Sequence, residues 1–151
     1  MTIPRIIQNN SMMTHRISLM QFSKSFFGSD SNIKKPEYIK EMTSMEDWNS
    51  ILDSKTPVVF QCSASWCRPC QVLRPVAEKI IKDHNGRVVF YYVDIEKFPE
   101  ISNMLNIQHV PQLYSVKDGQ LVNSLSGVPN NTDLNKFVAD LYDPNEPQVK
   151  E

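Results

Sequence analysis

Apolar residues follow two alternating rhythms along the middle of the chain. One is a short dense run. Val58–Cys62 (VVFQC) and Arg87–Asp94 (RVVFYYVD) are rich in β-branched and aromatic residues, as expected of strands buried on both faces. The other is helical spacing. Met45, Trp48, Ile51 and Leu52 form one such set, Val72, Leu73, Val76, Ile80 and Ile81 a second, inward-facing one, and Leu134, Phe137, Val138 and Leu141 a third. Each predicts an amphipathic helix. Local signals mark the ends. Ser44 followed by Asp47 resembles a capping box, and Pro57 stops the first helix. The second helix is predicted from Cys67 to about His84, ended by Asn85-Gly86. Tyr38–Met42 reads as a short strand and Pro99–Leu105 as a short helix. Gln112–Val116 and Gln120–Leu125 flank Asp118-Gly119, a strong hairpin signal. Parallel strands need helical crossovers and a hairpin adds antiparallel edge strands, so the pattern predicts an α/β sandwich.

The ends of the chain break this rhythm. Residues 1–29 carry Arg5, Arg16 and Lys24 and no acid, and all 17 acids lie beyond them. An Arg-bearing, Ser-rich, acid-free segment has the composition of an organellar transit peptide. As a helix, Met12–Phe27 would gather Met13, Ile17, Met20 and Phe27 loosely on one side, with Arg16 and Lys24 intruding. A disordered tail or a docking arm are the rival readings. The expected division is 1–36 as targeting segment or flexible arm with linker, 37–142 as the domain, and 143–151 as a polar tail with two prolines. Composition adds only limits. The 151 residues are 40% hydrophobic and 22% charged with a net charge of −1, so neither nucleic acid nor an anionic surface is an expected partner. No apolar run approaches the roughly 18 residues of a transmembrane helix. Three cysteines do not make a disulfide-stapled scaffold.

Two of those cysteines carry the chemistry. In Ser65–Gln71 (SWCRPCQ) they fall where a strand becomes a helix, Cys67 at the helix start and Cys70 one turn in. The positive end of a helix stabilises an anion by roughly 0.3–1 kcal/mol, and up to about 2 when partly buried. At about 1.36 kcal/mol per pKa unit, that lowers a thiol by up to about a unit and a half. Arg68 adds charge of the same sign. Cys67 is therefore expected to be the exposed, thiolate-forming nucleophile, and Cys70 the thiol that resolves its mixed disulfide. Pro69 stiffens the first turn, where its missing N–H costs nothing. Two other readings stand beside this one: half a zinc site, or cysteines that merely pack. A zinc site wants four ligands. The chain has one CxxC, and no two of His15, His84 and His109 lie at ligand spacing.

These residues together resemble thioredoxin. Trp66–Cys70 (WCRPC) is similar to that family's WCGPC, Val58–Ser65 to its central strand, and Pro75 to its helix-kinking proline. Val93–Gly119 resembles the family's third strand, short helix, cis-proline loop and hairpin, and Gly127 its glycine beyond the last strand. The resemblance covers about Tyr38–Tyr142. It implies the thioredoxin fold, a central mixed β-sheet flanked by helices on both faces. It also implies a cis bond between Val110 and Pro111 facing the cysteines, and an apolar docking rim of Trp66, Val110, Pro111 and Gly127. Three residues depart from the family pattern. Arg68 replaces a glycine and should make the pair more oxidising. Gln61 replaces a buried aspartate and cannot act as a base near neutral pH. Tyr92 replaces a lysine often found beside that acid. Arg68, Pro69 and Gln61 are thus the expected redox-tuning residues.

The expected function is protein disulfide oxidoreduction by Cys67 and Cys70, with no metal or organic cofactor. The partners implied are protein disulfides and a thioredoxin-reductase-type electron donor, in the mitochondrial matrix or alternatively the cytoplasm. An accessory subunit of a large mitochondrial, respiratory-type assembly is the alternative. A dithiol oxidase or isomerase is a third. Cys62, Trp48 and Phe60 read as core, His109 as a solvated loop residue, and Tyr91 and Tyr92 as alternating faces with one buried.

Overall fold

The computed structural model describes residues 35–145. The expected targeting segment, the helix proposed for Met12–Phe27 and the last six residues of the tail lie outside them. The elements run β1 (Ile39–Glu41), α1 (Met45–Leu52), β2 (Val58–Ser63), α2 (Arg68–Asp83), β3 (Val89–Asp94), α3 (Pro99–Met104), β4 (Gln112–Lys117), β5 (Gln120–Ser126) and α4 (Asn131–Ala139). The strands form one sheet in the order β1-β3-β2-β4-β5. β1, β3 and β2 are mutually parallel, while β4 runs antiparallel to β2 and β5 to β4. The fold is the α/β sandwich the pattern predicted, in the form of the mixed sheet with helices on both faces that the resemblance implied.

Each face carries its own core. Side chains alternate across a strand, so Val59, Phe90, Tyr92 and Leu113 pack under α2 and α4 with Leu73, Ala77, Ile81, Leu134 and Phe137. Phe60, Cys62, Tyr91, Val93 and Tyr114 pack on the other side with Trp48, Ile51 and Ile101 of α1 and α3. This corrects the reading of the tyrosine pair. Tyr91 and Tyr92 are both buried, because helices cover both faces of β3. Cys62, Trp48 and Phe60 are core residues, and burial pushes the Cys62 thiol up to about 12.

The local signals acted largely as their chemistry dictates. Asp47 Oδ2 accepts from the backbone N–H of Ser44 at 3.0 Å and of Thr43 at 2.7 Å. The hairpin turns through Asp118 and Gly119 with φ of 50° and 74°, the left-handed pair that matches strand twist. Val72 differs from expectation. It is exposed on α2, and Ala77 takes its place in the buried stripe with Leu73, Ile80 and Ile81. The stripe extends from Leu73 toward Ala77 and Ile81, and Val72 lies about 100° from Leu73 on the opposite side, off the buried face. The third strand begins at Val89 rather than Arg87; Arg87 Nη1 instead donates to the carbonyl of Pro144 at 3.1 Å. Among the described residues no helix is long and apolar enough to cross a membrane.

Candidate functional site

The site forms where β2 hands over to α2, at the carboxyl end of the parallel strands. Cys67 is the N-cap of α2, and Cys67 Sγ accepts the N–H of Cys70 at 3.2 Å. Cys67 and Cys70 are joined as a disulfide with S–S 2.05 Å and Cα–Cα 5.3 Å. Pro69 occupies the first turn of the helix. Ala64 packs with the two cysteines, and Ile95 and Val110 pack against this cluster.

In this disulfide form Cys67 is only 2% exposed, against the expectation of an exposed nucleophile. The bond and the capping contact turn its sulfur toward Cys70, and Ile95 and Val110 pack against the cluster it forms with Ala64 and Cys70. The neighbours behave oppositely. Trp66 is 70% exposed, and Arg68 and Pro69 face solvent.

The peptide bond between Val110 and Pro111 is cis, as the resemblance implied. Gly127, at φ 74°, donates its N–H to the carbonyl of Pro111 at 2.9 Å. The fold therefore brings Val110 against the cysteines from a segment some 40 residues downstream, with Pro111 next to it and Gly127 bonded to Pro111. His109, next in the same loop, is exposed.

Behind the pair the family's buried acid is absent. Gln61 is 1% exposed, and its Nε2 donates to the carbonyl of Cys70 at 3.3 Å. A cleft of about 260 Å³ runs past Gln61, Cys70, Arg74 and Tyr92. The Tyr92 hydroxyl lies 3.2 Å from the Arg74 carbonyl oxygen and 3.1 Å from Glu78 Oε1, the two acceptors available to its proton. Burial, then the Glu78 charge, pushes this phenol well above the usual tyrosine range. The Arg74 guanidinium covers its ring at 4.0 Å and pairs with Glu41, holding the Glu41 carboxyl low. Tyr92 thus stands amid charges although no buried acid faces it.

Sequence reading missed one residue that shapes the site. Glu96 Oε2 accepts the N–H of Ser65 at 2.9 Å and its hydroxyl at 2.6 Å. These bonds, with a smaller one from the Trp66 side chain, hold the Glu96 carboxyl below its usual range. The turn presenting Glu96 is braced by Asp94 Oδ1, which accepts the Glu96 N–H at 3.0 Å, and by Ile95 N–H on the carbonyl of Ser63 at 2.9 Å. The available signal was position. Glu96 follows β3 at the carboxyl end of the sheet, where α/β proteins place their sites.

The sequence model of the family described as thioredoxin matches residues 39–140 of this chain. The M-type chloroplastic thioredoxin of Spinacia oleracea is 31% identical over 103 residues, covering 66% of this chain and 57% of that protein. The mitochondrial thioredoxin of Mus musculus is 32% identical over 91 residues, 60% of this chain and 55% of that one. The chain thus spans little more than half the length of these relatives. Among solved structures, the oxidised form of mitochondrial thioredoxin 3 from Saccharomyces cerevisiae superposes with a TM-score of 0.62 at 28% identity, covering 68% of this chain and 95% of that one. Malassezia sympodialis thioredoxin gives 0.63 at 25% identity, covering 68% and 90%.

Proposed function

The chain belongs to the thioredoxin family, and from that premise we propose that it is a protein disulfide oxidoreductase working through Cys67 and Cys70. The observation that carries this reading is the Cys67–Cys70 disulfide at the N-terminus of α2, packed against Val110 beside the cis bond to Pro111. In the reduced protein the Cys67 thiolate attacks one sulfur of a substrate disulfide. A mixed disulfide forms and the other substrate sulfur leaves as a thiolate. Cys70 then attacks Cys67 Sγ, which releases the second substrate thiol and closes the pair. Two electrons have passed to the substrate. A dithiol donor of the thioredoxin-reductase type returns them.

Trp66, Val110, Pro111 and Gly127 serve as the docking rim for an extended substrate segment. Arg68 and Pro69 tune the pair, the first by charge and the second by stiffening the turn. Gln61 removes the base from behind Cys70. An organellar location follows from relatives named mitochondrial and chloroplastic, and the acid-free N-terminal segment supports the mitochondrial matrix. Nothing in the fold or the comparisons favours an accessory-subunit role over this reading.

Insulin reduction tests it. The wild-type chain should turn over with dithiothreitol as donor, Cys67→Ser should fall to background, and Cys70→Ser should accumulate the mixed disulfide. Equal, background activity in wild type and Cys67→Ser overturns the proposal.

A further inference from the structure

Among the described residues, one buried side-chain oxygen has no hydrogen-bond partner: Gln61 Oε1. It lies behind the redox pair. Gln61 Nε2 donates to the Cys70 carbonyl, and a carbonyl only accepts, so the sense of the carboxamide is settled and its oxygen is the free end. Buried polar atoms are nearly always paired, and an orphan calls for a cause. With Cys67 and Cys70 joined, neither sulfur carries a hydrogen to offer it. Cys70 is 4% exposed and lines the same cleft as Gln61. A thiol formed there is largely buried.

Reduction supplies the missing donor. A dithiol passes two electrons and two hydrogens to the pair and is left as a disulfide. The S–S bond breaks, and Cys70 gains an S–H, a weak donor. The geometry points to Gln61 as a positioning residue whose Oε1 accepts the Cys70 S–H in the reduced state only. The orphan acceptor penalises the disulfide form and is relieved in the dithiol form. Gln61 therefore favours the dithiol, makes the pair more oxidising and keeps the proton on the resolving sulfur. A carboxylate at this position would draw that proton away.

This inference rests on the redox reading above, but its test reads an equilibrium and not turnover. The full chain and Gln61→Met, which keeps the volume and removes the acceptor, are equilibrated against glutathione buffers of known potential. The expected result is an equilibrium constant for reduction about tenfold lower in Gln61→Met, a potential more negative by about 30 mV. An unchanged or higher potential overturns the inference. A second measurement leaves position 61 intact. The infrared S–H band of Cys70 in the reduced wild type, assigned by its loss in Cys70→Ser, should lie below the frequency of an unbonded thiol. A band at the unbonded position overturns the inference even if Gln61→Met does not fold. A chain inactive on insulin that shows the shifted potential would remove the proposed function and leave this inference standing. An active chain with an unshifted potential would do the reverse.

Discussion

Cys67 and its neighbours set a buried sulfur among exposed side chains in one short loop. The sulfur is covered in the oxidised form, while Trp66 stands in solvent. Glu96 holds the start of that loop by its bonds to Ser65. The carboxyl is depressed in the folded state, so the clamp contributes fully above the ordinary carboxylate range and is lost as pH falls through the lowered folded value. Glu96→Ala should raise the KM for insulin severalfold with kcat little changed, since the cysteines keep their own cap. Glu96→Gln, which still accepts from Ser65, should recover most of that loss. Steady-state kinetics on both variants at pH 7 checks this, and a fall in kcat with constant KM would count against a rim-positioning role.

At the scale of elements, α1 depends on a cap and β5 on its neighbour. Asp47 draws in two backbone N–H groups at the start of α1, and these hold its carboxyl low. Its contribution is present above the unfolded pKa and disappears as pH drops through the folded one. Asp47→Ala should cost about 0.5–1 kcal/mol at pH 7, at the low end for a cap because the carboxylate is only partly buried. Urea unfolding should show that difference at neutral pH and its loss in strong acid. α2 illustrates a different balance. It carries Pro75 in its interior on the solvent side, where a proline removes one helical hydrogen bond. The helix persists because Leu73, Ala77, Ile80 and Ile81 bury one continuous stripe against the sheet. The edge strand β5 is exposed along nearly its whole length and is placed by its pairing with β4.

For the described domain as a whole, the two cores meet only through the sheet, so residues in the central strand tie several elements at once. Phe60 on β2 is fully buried, meets Trp48 of α1 edge-on at 5.4 Å and stacks on Tyr114 of β4 at 5.2 Å. Phe60→Ala should cost about 3–5 kcal/mol, a large share of a typical total of roughly 5–15 kcal/mol. Chemical denaturation should register it as one cooperative shift of the midpoint. Separate loss of the α1 signal would argue that the two faces are not coupled.

Much of this was legible along the chain. The strands Val58–Cys62 and Gln112–Val116, the Asp118-Gly119 turn, the Ser44–Asp47 cap and the placement of Cys67 at a helix start all depend on neighbours a few residues apart, and local spacing records such relations directly. The thioredoxin fold followed from the order of those elements and from Trp66, Pro75 and Val110-Pro111 at family spacing. Other features were decided only in three dimensions. Tyr91 and Tyr92 are both buried because α1, α3 and α2 lie on opposite sides of β3. Val72 turned outward because the exact rotation of α2 depends on what it packs against. Cys67 proved buried because Ile95 and Val110 pack against its cluster from distant segments. Glu96 reached Ser65, and Gln61 Oε1 was left without a partner, for the same reason. Each depends on which groups meet across the sheet, and the spacing of residues along one segment does not encode a contact made with another.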